Sequence, residues 1–308
     1  MSKVVVLTGG VGGAKLVLGL SHIVAGADLT AIVNTGDDFR HLGLHVSPDI
    51  DTLLYTLSGK ANAQQGWGRE GESWAFMEAL RELGGEDWFL LGDGDLALHV
   101  LRSDALARGE TLSQITAGFA ARWGIGTRIL PMSDDPVATM LDTDEGRLAF
   151  QRYFVERRCA PAVSAIDFAG ASSAVPAGGV EEAILAADAV IVAPSNPFLS
   201  VDPLLAVPAI RAALARTAAP VVAVSPLVGG QAVKGPTAKL MGELGIAVDN
   251  DAIARHYAGV IDGLLIDSGD DCGVAGLAIG RCPTLMSSLD DKVRVARAAL
   301  ALAEGLRP

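Results

Sequence analysis

Apolar positions along the chain alternate between short unbroken runs and longer stretches spaced by three or four. Residues 3–8 (KVVVLT) form a β-branched run that predicts a buried strand, and 14–24 place Leu16, Leu20 and Ile23 on one helical face. A second strand is predicted at 29–34, so the chain opens strand, glycine loop, helix, strand, as a doubly wound sheet does. Further buried strands are predicted at 189–193, 220–225 and 261–267, each preceded by a helical pattern, around 180–187, 201–216 and 249–257. Residues 290–306 begin with aspartates and read as a closing amphipathic helix.

The middle has a different texture. Helical patterns cover 73–83, 96–108 and 112–123, and a β-hairpin is predicted from 137–141 and 147–155 across a turn at 142–146. Residues 164–168 read as another strand and 169–179 as a small-residue loop. The predicted fold is α/β: a Rossmann-like, doubly wound, mainly parallel sheet built from 1–45 and 180–308. Residues 46–179 are predicted to form a helical and β-hairpin insertion that caps it.

Half of the 308 residues are hydrophobic and only 5% aromatic, which suits parallel strands covered by small-residue helices. A net charge of -12 offers no cationic field to nucleic acid, so an anionic ligand needs local devices: backbone N–H groups, a few lysines or a metal. The three cysteines, Cys159, Cys272 and Cys282, lack CxxC spacing, which points to a reducing cytoplasm rather than a disulfide framework. Glycines interrupt the apolar start, so no signal peptide is expected. The uncharged stretch 217–233 contains Pro220, Pro226 and Gly229-Gly230, so no membrane span is expected.

Four loops carry candidate chemistry. In Thr8-Gly-Gly-Val-Gly-Gly-Ala-Lys15, the glycines Gly9, Gly10, Gly12 and Gly13 let the backbone approach a phosphate, and Lys15 adds a point charge. The spacing is not that of a P-loop, and Lys15 replaces the third glycine of GxGxxG. Asn34 stands where a ribose-binding acid would be; the plainer alternative for the loop is a tight turn for helix–sheet packing. The second group is Asn34-Thr-Gly-Asp-Asp38 with Ser47-Pro-Asp-Ile-Asp-Thr52, whose several carboxylate oxygens suit Mg²⁺ at a ligand edge; the plainer alternative for Asp37 and Asp38 is a solvated turn. One of Asp49 and Asp51 is expected to cap the following helix. The third is Gly92-Asp-Gly-Asp95, with Asp95 as a helix cap and Asp93 and His99 facing substrate. The fourth is APSNP at 193–197, SPLVGG at 225–230 and KGPTAK at 234–239. Here Ser195 and Asn196 offer hydrogen bonds to a base or sugar, Gly229 and Gly230 backbone donors, and Lys234 a counter-charge. No GxSxG elbow, HExxH or kinase signature occurs.

Taken in order, GGVGGAK, NTGDD, SPDIDT, YTL at 55–57, GWG at 66–68, LGDGD at 91–95, RILPMSDDPV at 128–137, APSNP and SPLVGGQAVKGPTAKLM at 225–241 resemble the 2-phospho-L-lactate transferase (CofD type) family of deazaflavin coenzyme F420 biosynthesis. The resemblance implies a Mg²⁺-dependent transferase, a homodimer, that joins a GDP-activated lactyl, enolpyruvyl or glyceryl acid to the deazaflavin Fo. A ribityl hydroxyl of Fo attacks the phosphate carrying the acid, and GMP leaves. It also implies diphosphate at Lys15 and the glycines, and Mg²⁺ or the Fo hydroxyl at Asp37 and Asp51. The nucleotide falls to Ser195, Asn196, Gly229, Gly230 and Lys234, and the deazaflavin ring to the neighbourhood of Trp67 and Leu91. Members of the family often carry GDRD where this chain has Gly94. The rival readings are a sugar-nucleotide-binding regulator of the same superfamily, without turnover, and an NAD-dependent oxidoreductase, which the missing glycine and ribose-binding acid disfavour.

Overall fold

A computed structural model describes residues 3–62, 64–233 and 235–307. Strand β1 (Val4–Thr8) leads into α1 (Gly10–Ser21) and β2 (Leu29–Val33), followed by a hairpin of β3 (Phe39–His41) and β4 (Leu44–Val46). Helices α2 (Pro48–Leu57), α3 (Ala75–Glu82), α4 (Asp93–Ala107) and α5 (Leu112–Arg122) come next, then strands β5 (Arg128–Pro131), β6 (Ala138–Thr143), β7 (Gly146–Ala149) and β8 (Val163–Ala169). The second half runs α6 (Val180–Leu185), β9 (Ala189–Val192), α7 (Asp202–Leu205), α8 (Pro208–Arg216), β10 (Val221–Val224), β11 (Leu227–Val228), β12 (Gln231–Ala232), α9 (Thr237–Glu243), α10 (Asn250–His256), β13 (Gly263–Ile266), β14 (Ala278–Arg281) and α11 (Leu289–Gly305).

Seven strands form one parallel sheet in the order β14-β13-β10-β9-β1-β2-β5. From β1 the chain builds outward through β2 and β5, then returns to the other side of β1 with β9. The topological switch point therefore lies between β1 and β9, where loops diverge and leave a crevice. Alternation along β1 explains the two layers: Val5 and Leu7 face a core shared with α8, α9, α10 and the β7-β6-β8 antiparallel sheet. Val4 and Val6 face a core filled from α1, α2, α5 and α11.

The α/β, mainly parallel architecture is the expected one, but the middle of the chain is not a single insertion. β5 pairs parallel with β2, Thr30 opposite Arg128 through Val33 opposite Pro131, so a core strand comes from within 46–179. α2 and α5 likewise line the core layer beneath the sheet. The strand is four residues long, sits at the sheet edge and ends in proline, a residue tolerated at edges but absent from strand patterns. β14, the opposite edge, is equally short and carries Gly280 and Arg281 where a strand pattern would be apolar.

Three local boundaries also moved. α1 begins at Gly10, so the glycine loop is itself the first helical turn. The helix predicted over 201–216 breaks into α7 and α8, because Pro208 lacks the N–H that would continue the hydrogen-bond ladder. β7 ends at Ala149 and the chain coils into a π-helical turn, Arg152–Glu156, where strand was predicted. Among the described residues no single helix is long and apolar enough to cross a membrane.

Candidate functional site

The loops that follow β1 and β9 are stitched together at the switch point. The Ser195 hydroxyl donates to the Gly9 carbonyl (2.7 Å), and the Gly9 N–H points back at Ser195 Oγ (3.3 Å). Glycine is required by proximity here. A Cβ on Gly12 would sit 2.7 Å from the Pro194 carbonyl oxygen, and one on Gly13 would overlap Thr8 Oγ1 and lie 2.8 Å from Ser195 Oγ. Close packing thus accounts for Gly12 and Gly13, and Gly9 would likewise meet Asp49 Oδ2, at 2.6 Å. Gly10, with φ +62, makes the turn into the helix.

The positive end of α1 already carries an anion of the protein's own. The Gly10 N–H donates to Asp49 Oδ1 (2.7 Å), leaving the next N–H groups of the first turn, at Val11 and Gly12, without intrahelical acceptors. Lys15 Nζ donates to the Met286 carbonyl (2.9 Å), in the segment that leads into α11.

Beyond β2 the chain places three carboxylates in one buried region. Asn34, fully buried, organises it: Nδ2 donates to Asp49 Oδ2 (3.0 Å) and the Leu199 carbonyl (3.3 Å), while Oδ1 accepts the Gly36 N–H (2.7 Å). Asp38 Oδ2 accepts from the Ser47 hydroxyl (2.7 Å) and faces His45 Nε2 (3.1 Å). Asp37 is 5% exposed, and its Oδ1 has no hydrogen-bond partner. Burial pushes its carboxyl well above the usual range, Asp49 and Asp38 push it further, and Asn34 and Thr139 oppose. Burial also lifts Asp49, to about 6, against the hydrogen bonds from Asn34 and Gly10. Asp38 is raised by burial, with His45 and Ser47 opposing. Carboxylates held this way bind protons or a cation near neutral pH.

Among the described residues no three His, Cys, Asp or Glu side chains converge to hold a metal by themselves. Mg²⁺ needs only one or two protein carboxylates when phosphate and water complete its shell. The unpartnered, buried Oδ1 of Asp37 fits that requirement. Asp51 does not, because Arg102, itself 0% exposed, donates to both of its oxygens, Nη1 to Oδ2 at 3.2 Å and Nη2 to Oδ1. The cation beside Asp51 is therefore a guanidinium. The network continues from α2 into α4: His99 Nδ1 is 3.3 Å from Arg102 Nη1, His99 Nε2 is 3.0 Å from Asp95 Oδ2, and the Tyr55 hydroxyl donates to Asp95 Oδ1. Neither Asp49 nor Asp51 caps α2 through a side-chain hydrogen bond; Ser47 holds the cap position.

The roles expected of Asp93 and Asp95 are exchanged. Asp93 accepts from the Ser73 hydroxyl (2.6 Å) and the N–H groups of Ala75 (3.1 Å) and Phe76 (3.0 Å), so it caps α3 rather than facing substrate. Asp95 joins the buried network and also lines a small pocket with Trp67, Trp74, Leu90, Arg69 and Glu72. A Cβ on Gly94 would overlap the Arg69 guanidinium, so Arg69, bonded to Glu72 (3.1 Å), fills the space next to Gly94.

On the β9 side, Asn196 Oδ1 accepts from the N–H groups of Phe198 (3.0 Å) and Leu199 (3.2 Å), while its buried Nδ2 has no partner. Gly229 and Gly230, with φ +61 and +69, form the two-residue turn between β11 and β12, which requires positive φ at both positions. Lys234 lies outside the described residues. Reading the sequence alone missed Arg102, Thr139 and Gln151 and gave Tyr55 no role of its own; they reach the site from α4, β6, the turn after β7, and α2. The only sequence signal was a polar residue in an otherwise apolar register, as at Thr139 beside Leu141.

Comparisons with known proteins bear on the family and the fold. Residues 4–274 match the family model described as 2-phospho-L-lactate transferase CofD. Similar proteins named phosphoenolpyruvate transferase occur in Kitasatospora aureofaciens, 44% identical over 99% of both chains, and in a Mycobacterium species (strain KMS), 40% identical over 98% of both. A crystal structure of a UPF0052-family protein from Bacillus halodurans superposes with a TM-score of 0.66 over 97% of this chain and 100% of its own. At 19% identity, that likeness speaks to the fold alone. The match over most of the chain shows that this protein is a transferase belonging to the 2-phospho-L-lactate transferase (CofD) family.

Proposed function

We propose that the protein transfers a phosphorylated three-carbon acid from a GDP-activated donor to a ribityl hydroxyl of the deazaflavin Fo, releasing GMP, in coenzyme F420 biosynthesis. The observation that carries this reading is the buried trio Asp37, Asp38 and Asp49, beyond β2 and joined to the switch-point loop through the Gly10–Asp49 hydrogen bond, in a chain of this family. The names of the relatives favour enolpyruvyl as the acid.

Phosphodiester transfer needs charge neutralisation and in-line positioning more than covalent catalysis. The hydroxyl oxygen forms a bond to the phosphorus bearing the acid, the bond from that phosphorus to the GMP oxygen breaks, and the hydroxyl proton passes to the carboxylate region. Bound Mg²⁺, held by Asp37, would supply neutralisation of the diphosphate. The N–H groups of Val11 and Gly12, the Asn196 amide and the residues around 229–230 support the nucleotide side. Asn34 and Asp49 hold the loop and helix in register. The exposed indole of Trp67, with Leu90, offers the deazaflavin an apolar surface rather than an enclosed pocket, the cleft there having a volume of only about 20 Å³.

The test is incubation with Fo, Mg²⁺ and each GDP-activated acid (lactyl, enolpyruvyl, glyceryl), with GMP read by chromatography and the product by mass spectrometry. Asp37→Asn is expected to abolish GMP release while the protein stays folded, melting no lower than the unaltered protein because a buried, destabilised carboxylate is removed. No GMP from any of the three acids sinks the transferase reading, and UDP-sugar binding without turnover would put the regulator reading in its place.

A further inference from the structure

The loop that carries Asp37 is gripped from both sides. Asn34 and Asp49 hold it on the helix side. On the other side stands β6, which lies outside the parallel sheet: the Thr139 N–H donates to the Gly36 carbonyl (2.7 Å). Gln151, just after β7, donates through Nε2 to the Asp37 carbonyl (3.4 Å). Gly36 leaves room for this approach, since a Cβ there would meet Thr139 Oγ1 at 2.7 Å.

Thr139 is 1% exposed and shares its strand face with Leu141, a core residue. Valine has nearly the same shape and would fill that place without burying a hydroxyl. Yet Thr139 Oγ1 has no hydrogen-bond partner, and neither has Asp37 Oδ1, the carboxylate oxygen of the loop it packs against. The hydroxyl lies against Gly36, one residue before Asp37, and favours the ionised carboxylate. Two buried, unpartnered polar groups of complementary kind, on elements locked together by backbone hydrogen bonds, have a common use: the hydroxyl orients the carboxylate for its ligand.

We propose that Thr139 is a positioning residue of the transfer site, whose hydroxyl fixes the Asp37 carboxylate for a divalent cation. This rests on the reading of Asp37 as the metal-holding residue. The antiparallel sheet is then part of the active site, and the role of β6 goes beyond closing the core.

The experiment measures Mn²⁺ binding to the purified full chain by electron paramagnetic resonance of the free ion, with the thermal melt as a folding control. Four proteins are compared: the unaltered protein, Thr139→Val, Thr139→Ser and Asp37→Asn. Thr139→Val should raise the Mn²⁺ dissociation constant about tenfold or more with its melt preserved, as loss of a partner behind a metal ligand does. Thr139→Ser, which keeps the hydroxyl, should restore binding, whereas a purely steric role would not distinguish serine from a smaller apolar residue. Asp37→Asn should lose the site. If Asp37→Asn loses Mn²⁺ and Thr139→Val binds it as the unaltered protein does, the role of Thr139 is refuted while Asp37 stands. If Asp37→Asn binds Mn²⁺ normally, or the unaltered protein does not bind it at all, both assignments fall together. In either case GMP release decides the transferase reading separately.

Discussion

Replacing Arg102 with methionine tests the network that joins α2 to α4. The guanidinium is 0% exposed, the Asp51 side chain it binds is 6% exposed, and both carboxylate oxygens take hydrogen bonds from it. Solvent therefore screens the pair little. Methionine fills much of the aliphatic volume but leaves Asp51 buried with only His99 Nδ1, 3.7 Å away, as a substitute donor. Removing one member of such a pair costs about 3–5 kcal/mol, because the remaining charge keeps its desolvation penalty. At this chain length that corresponds to a melting temperature lower by roughly 5–8 °C. The assay is urea unfolding at pH 7.5 alongside a thermal melt, for Arg102→Met, Asp51→Asn and the double variant. The double variant removes the stranded charge as well, so it should recover more than half of the Arg102→Met loss. A loss below about 1 kcal/mol, or a double variant no more stable than Arg102→Met, would show that the pair contributes little and that Asp51 is free for another partner.

Two further outcomes follow from the geometry. Asp49 titrates near 6 in the folded chain and at the ordinary lower value when unfolded, so the folded state holds the extra proton between about pH 4 and 6. Stability should therefore fall as pH rises through that window, by up to about 3 kcal/mol from Asp49, with Asp37 and Asp38 acting in the same direction. Urea unfolding at pH 5 and pH 7.5 reads this directly, and Mg²⁺ should stabilise more at the higher pH; equal stability at both, without metal, would refute it. Gly13→Ala should cost about 1–3 kcal/mol, because the new Cβ overlaps Thr8 Oγ1 and crowds Ser195 Oγ. Combining it with Thr8→Ala should return part of that loss in the same melts, and no recovery would mean that the strain lies in the backbone.

Most of the parallel sheet was legible because its central strands are buried on both faces. Runs such as those of β1, β9 and β10 are apolar without interruption, and a buried parallel strand needs little else. The edge strands β5 and β14 were not legible, since each is only four residues long and broken by residues that strand patterns lack, Arg128 and Pro131 in one, Gly280 and Arg281 in the other. Family membership was legible too, because it depends on which residues follow one another, and those survive in order from Gly9 to Met241.

The partners of each polar side chain were decided only by the tertiary structure. The sequence by itself determined that aspartates cluster at 37, 38, 49 and 51, near a strand end and a helix start. It could not say that Arg102, fifty-one positions from Asp51, takes that carboxylate, or that Thr139 from a separate sheet faces Asp37. Nor could it say that Asp93 serves a neighbouring helix while Asp95 turns inward. Hydrophobic burial is nearly non-directional and leaves a periodic trace along the chain. A hydrogen bond is set by distance and angle between groups brought together from anywhere in it, so its address is written in three dimensions.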